Sequence, residues 1–198
     1  MTDNIVSTPK FVAFVIASAM LAALLMLNDG FIPIIDYANT VFHEAGHFVF
    51  DLFGDTVGLY GGTLGQLLPP IISAVVFWRQ KSLVSVSVAL LWFFENFFDI
   101  AAYMETARSE GPIVLGVLGW GYHDWWVILR RWGALQYDTT LATMVRVMGW
   151  LGLFSTLIGI TYLWWQCKKF YARQWTIALT STPVNCQSRK SNSKQSKK

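Results

Sequence analysis

Two runs of this chain, residues 11–27 (FVAFVIASAMLAALLML) and 147–165 (VMGWLGLFSTLIGITYLWW), carry no charge, and each is about long enough to cross a bilayer as a helix. An ordinary soluble core is excluded. Composition agrees, with 54% hydrophobic residues, 14% charged residues and a mean hydropathy of +0.43. The expectation is an all-α polytopic membrane protein with four or five transmembrane helices. The first run follows Lys10 and leads into Asn28-Asp29-Gly30 without a small-x-small cleavage pattern, so it reads as a retained span rather than a signal peptide.

Three apolar segments lie between these two. Residues 37–53 (YANTVFHEAGHFVFDLF) predict a helix, with Asp36 or Asn39 as cap and Gly54 as stop. Residues 66–78 are short, and Pro69 with Pro70 suits a helix start better than a helix interior. Residues 83–104 are long enough to span but are interrupted by Glu95, Asn96 and Asp99. The stretch GDTVGLYGGTLG, residues 54–65, has five glycines in twelve residues and predicts a turn-rich loop or short hairpin after the helix of residues 37–53. Residues 105–140 hold Trp120, Trp125, Trp126 and Trp132, a pattern suited to a membrane interface.

The net charge of +3 conceals an asymmetry. Residues 167–198 hold eight basic residues and no acid, which leaves seven basic and twelve acidic residues in the rest. This predicts a membrane-embedded domain over 1–166 followed by a basic, disordered cytoplasmic tail over 167–198. Such a tail fits an anionic membrane surface rather than nucleic acid. Arg79 and Lys81 join two apolar segments and Lys168 and Lys169 follow the last, so both places are expected in the cytoplasm, with residues 105–140 opposite. An inner (plasma) membrane of bacterial type is the expected location, and the bilayer itself the first partner. Cys167 and Cys186 read as free thiols.

The chemistry is concentrated in FHEAGHF, residues 42–48. His43 and His47 are i and i+4, so on a helix both imidazoles share a face, with Glu44 about 100° round from His43. His-Glu-x-x-His on a helix is a zinc motif in which two imidazoles ligate Zn2+ and the glutamate activates a water. Gly46 costs about 1 kcal/mol relative to alanine, tolerable where another backbone approaches closely. A catalytic zinc needs a third protein ligand and an open position. ENFFD offers Glu95 and Asp99, again i and i+4, inside a spanning segment where acids are functional candidates. His123, beside Asp124, could donate to a developing oxyanion or complete the metal shell, and either residue is an alternative ligand.

His43-Glu44-x-x-His47 followed by Glu95-x-x-x-Asp99 resembles the gluzincin pattern of zinc metallopeptidases, which implies Glu95 as third ligand and Asp99 as the group orienting a histidine. A His-Glu-x-Gly-His motif in a membrane helix, a Gly-Gly segment and a ligand from a later span also resemble the site-2 protease family of intramembrane metalloproteases, over about residues 36–104. That family takes its third ligand from an Asp-Gly motif. Asp99 here precedes Ile100, and it stands as the first rival to Glu95. The same resemblance implies that LYGGTL serves as an edge strand for an extended substrate. The expectation is a zinc-dependent peptidase acting on a peptide or membrane protein, with Glu44 as base. A zinc hydrolase of a lipid or small amphiphile, and a non-enzymatic metal-binding subunit, are the other classes.

Overall fold

The computed structural model describes residues 7–116 and 119–181. Its elements are α1 (Thr8–Leu27), α2 (Pro33–Phe50), a 3-10 turn (Asp51–Phe53), α3 (Asp55–Arg79), α4 (Leu83–Glu105), α5 (Ala107–Glu110), β1 (Ile113–Gly116), β2 (Gly119–Tyr122), α6 (Asp124–Arg131), a second 3-10 turn (Leu135–Tyr137) and α7 (Asp138–Ser181). Four helical stretches are long and apolar enough to cross a membrane: Thr8–Leu27, Asp55–Arg79, Leu83–Glu110 and Leu135–Phe170. The protein is an all-α polytopic membrane bundle. Its one small sheet among the described residues is the antiparallel pair β1–β2, with Ile113 opposite Tyr122.

The bundle is polar inside and apolar outside, as a bilayer solvent demands. Asp36, Asn39, Gln66, Glu95, Asn96, His123 and Asp124 are buried, whereas Ile16, Met20, Ile34, Val76, Leu151 and Ile158 are exposed. Lipid satisfies the second set at no cost, and the first must be satisfied within the protein. One apolar cluster, built on Phe14, Leu25, Leu91, Phe98, Leu153 and Ile160, joins α1, α4 and α7. A second, built on Ile100, Ala101, Met104, Leu129 and Ala142, seats α6 against α4 and α7, with Trp125 and Trp126 packed on it.

α4 and α7 are antiparallel: Arg146 pairs with Glu105 at one end, and Leu83, Val84 and Trp164 meet in the first cluster at the other. Arg79 and Lys81 therefore stand at the same end of the bundle as Lys168 and Lys169. α7 continues through Ser181, so the boundary expected at residue 167 falls inside a helix; residues 182–198 of the expected tail lie outside the described residues.

The glycine-rich segment corrects the sequence expectation. Residues 55–65 are neither loop nor hairpin but the first half of α3, and LYGGTL is helical, not an edge strand. Gly54, at φ 103°, ends the turn after α2 as expected, and the chain then doubles back. Gly58, Gly61, Gly62 and Gly65 recur at a helical period and give α3 one face without side chains, against which α2 lies backbone to backbone. A Cβ on Gly46 would stand 2.1 Å from the Gly61 carbonyl oxygen, and one on Gly65 would stand 2.4 Å from that of Phe42. Pro69 and Pro70 lie inside α3 rather than at its start, a placement that membrane helices tolerate because neighbours cover the freed carbonyls.

Candidate metal centre

α2 places both histidines on the face that meets α3, and that contact determines their ring orientation. The Nδ1 of His47 lies 2.8 Å from the carbonyl oxygen of Gly58, an acceptor, so Nδ1 carries the proton. His43 is oriented through a longer chain. Asp99 Oδ2 accepts the amide N–H of Gln66 at 2.9 Å, and Asn96 Oδ1 lies 3.2 Å from the same nitrogen. An acceptor-only carboxylate decides which end of the amide faces it, so Gln66 Oε1 turns to His43 Nδ1 at 2.8 Å and accepts its proton. Both imidazoles thereby turn Nε2 toward Asp124, whose carboxylate pushes the pKa of His47 up to about 9, so at neutral pH this nitrogen holds a proton that a metal ion would displace.

The two Nε2 atoms converge on one oxygen. Oδ2 of Asp124, at the first position of α6, is 2.9 Å from Nε2 of His43 and 3.1 Å from Nε2 of His47. The two rings are edge to face with centroids 5.0 Å apart, and the three ligand atoms lie within 4.8 Å of one another. Burial alone would raise the pKa of Asp124, but the two imidazoles hold it below the ordinary carboxylate value. Its backbone N–H donates to Tyr103 Oη at 3.2 Å, which ties α6 to α4. Gly62 completes the pocket wall: a Cβ there would stand 2.3 Å from Nε2 of His43. The group of His43, His47 and Asp124 could hold a metal ion.

Two imidazole nitrogens and a carboxylate oxygen converging in this way form a donor set that fits zinc once the imidazole protons are displaced. Each imidazole also has a carbonyl behind it, the backing that metal-bound histidines carry. His47 is more open than His43, with side chains 25% and 12% exposed, so the accessible side of the site is that of His47. Glu44 follows His43 on α2, half-buried and with no hydrogen-bond partner among the described residues; its charge is felt at His47 and at Tyr103.

The structure brings Asp124, not Glu95, beside the two histidines. Glu95 is absent from the His43–His47–Asp124 group because it lies level with Asn39, one helical turn before His43, and accepts from the Asn39 amide at 3.0 Å. Asp99 does not reach the imidazoles either, and its Oδ2 is joined to His43 through Gln66. Asp124, an alternative ligand in the sequence reading, is the carboxylate that meets both imidazoles.

His123 is fully buried and turned away. Its Nδ1 accepts the Trp126 N–H at 3.3 Å as the cap of α6, its Nε2 lies 3.1 Å from Thr106 Oγ1, and its ring stacks on Tyr103 at 4.2 Å. Burial lowers its pKa, so it serves as a neutral cap. Sequence reasoning missed Gln66, Tyr103 and the Gly58 carbonyl. The signal for Gly58 and Gln66 was the spacing of the glycines, which is helical from 58 to 65.

Compared with models of protein families, with curated proteins and with solved structures, the chain finds no match.

Proposed function

We propose that the protein is a zinc-dependent peptidase that hydrolyses a peptide bond within or beside the membrane. The observation that carries this reading is the convergence of two imidazole Nε2 atoms and one carboxylate oxygen, with a free glutamate one residue from the first histidine. His43, His47 and Asp124 would hold the metal. Zinc in such a site supplies Lewis acidity, and brings the pKa of a water down to about 7.

The protein's own residues then have distinct tasks. The Glu44 carboxylate takes a proton from the attacking water and returns it to the departing amine. Asp99 and Gln66 keep the His43 proton on Nδ1. Tyr103, whose Oη accepts the Asp124 N–H, would donate its hydroxyl proton to an oxyanion. His123, with both nitrogens engaged, holds α6 and hence Asp124 in position.

The test uses purified full-length protein, zinc-loaded and reconstituted in liposomes with bacterial inner-membrane proteins, with sequencing of newly formed N-termini. Fragments are expected with wild type, and not with Glu44→Gln, which should still bind zinc. Absence of any Glu44-dependent fragment from zinc-loaded protein would overturn the peptidase reading. Release of fatty acid from the same liposomes, lost in Glu44→Gln, would replace it with a lipid hydrolase.

A further inference from the structure

One turn before His43, between α2 and α4, lies a second polar cluster that the metal site does not use. Asp36 and Asn39 come from α2, Trp92 and Glu95 from α4. Asp36 is 2% exposed and Glu95 is fully buried. Each carboxyl has one oxygen accounted for. Asp36 Oδ2 accepts the backbone N–H of Ile32. Glu95 Oε2 accepts from Asn39 Nδ2 at 3.0 Å, and that amide is oriented in turn by Trp92, whose indole N–H donates to Asn39 Oδ1 at 2.9 Å.

The remaining oxygens, Asp36 Oδ1 and Glu95 Oε1, are buried and receive no donor. The two carboxyls stand within hydrogen-bonding reach of each other. Glu95 is about 18 Å along α4 at 1.5 Å per residue, deep in a spanning helix. Among the described residues no base pairs with either carboxyl, and the other charge felt at Glu95 is that of the acid Asp99, which is joined to His43 through Gln66. α1 has no ionisable residue between Lys10 and Asp29, α3 only Tyr60 between Asp55 and Arg79, and α7 none between Arg146 and Tyr162.

We infer that Asp36 and Glu95 form a binding site for one proton, held on Glu95 Oε1 and donated to Asp36 Oδ1. Two adjacent carboxylates without a cation cannot both ionise in a low-dielectric interior. A single O–H···O bond satisfies both orphaned oxygens at once. A hard cation takes about six or more oxygens, whereas two are unspent here. The proton belongs on Glu95 because Asp36 lies in the first turn of α2, where a backbone N–H and the positive end of the helix favour the anion. The consequence is mechanical: the shared proton joins α2, which carries both histidines, to α4, and its loss would place two like charges across that contact.

Infrared spectroscopy of the purified full-length protein at neutral pH tests this, using wild type labelled with carbon-13 at the side-chain carboxyl of either glutamate or aspartate. A protonated carboxyl C=O band is expected, shifted by the glutamate label, unmoved by the aspartate label and lost in Glu95→Gln. Because the labels do not perturb folding, the wild-type result stands even if the variant fails to fold. Absence of the band, a shift with the aspartate label alone, or persistence of the band in a folded Glu95→Gln protein would overturn the inference. So would a band seen in choline chloride but abolished by sodium chloride, which would make the pair a sodium site.

Discussion

Asp124 stands 81 residues beyond His43 in the chain, yet its Oδ2 is 2.9 Å from the imidazole Nε2. α6 is eight residues long and too polar to span, and it is held in place by the His123 cap, the Tyr103 hydroxyl and the apolar cluster under Leu129. That docking brings a carboxylate from outside the spans to a histidine pair on α2.

Removing any one of the three ligands should strip the metal. His43→Ala, His47→Ala and Asp124→Ala are each expected to purify without zinc, while wild type and Glu95→Gln retain about one zinc per chain, the stoichiometry of a three-ligand site. Elemental analysis of the purified proteins decides this. A zinc-free Glu95→Gln protein would return the third ligand to α4.

Gln66→Leu and Asp99→Asn act behind the metal rather than on it. Each releases the orientation of His43, an effect worth about 10- to 100-fold in affinity or activity. Competition titration with a zinc chelator should register both losses, with neither variant becoming metal-free at saturating zinc.

Tyr103→Phe removes both a hydroxyl proton and the acceptor that holds the Asp124 N–H. Loss of one oxyanion donor lowers turnover by about 10²- to 10³-fold. Steady-state assays at saturating zinc should show that fall in kcat, accompanied by weaker zinc affinity as α6 loosens, whereas His123→Ala should lower thermal stability by unseating α6.

Glycine-to-alanine changes on the α2–α3 contact should separate packing from chemistry. At Gly46 and Gly65 the added methyl meets backbone, so the helices must part, and overpacking of this kind costs about 1–3 kcal/mol. At Gly62 it meets the His43 ring, so weakened zinc binding should dominate. Thermal unfolding in detergent, paired with zinc titration, distinguishes the two patterns.

Arg79 and Lys81 share one end of the bundle with Lys168 and Lys169, and the metal site lies toward the other. In a background lacking Cys167 and Cys186, cysteines at Gln80 and Lys169 should be labelled from the cytoplasm and one at Tyr122 from the opposite side. Labelling of all three from one face would contradict a bundle that crosses the membrane in this orientation.

The spans were legible because a bilayer admits few solutions for a long uncharged run: α1, α4 and the apolar part of α7 follow from their composition. So does the pairing of His43 with His47, which depends only on the period of one helix. Local rules failed where contact between helices overrode them. Five glycines in twelve residues read as a loop, yet four of them line one face of α3, and their lack of side chains is what lets α2 approach. Glu95 and Asp99 stood out as acids within a spanning segment, but not which groups they face, because the level at which α2 crosses α4 is a property of packing. That crossing pairs Glu95 with Asp36 and Asn39, and the docking of α6 brings Asp124 to the histidines. The sequence determined the membrane-spanning helices and the two imidazoles on one face; tertiary structure alone decided which carboxylate joins them, since side chains distant in the chain meet only when whole helices pack.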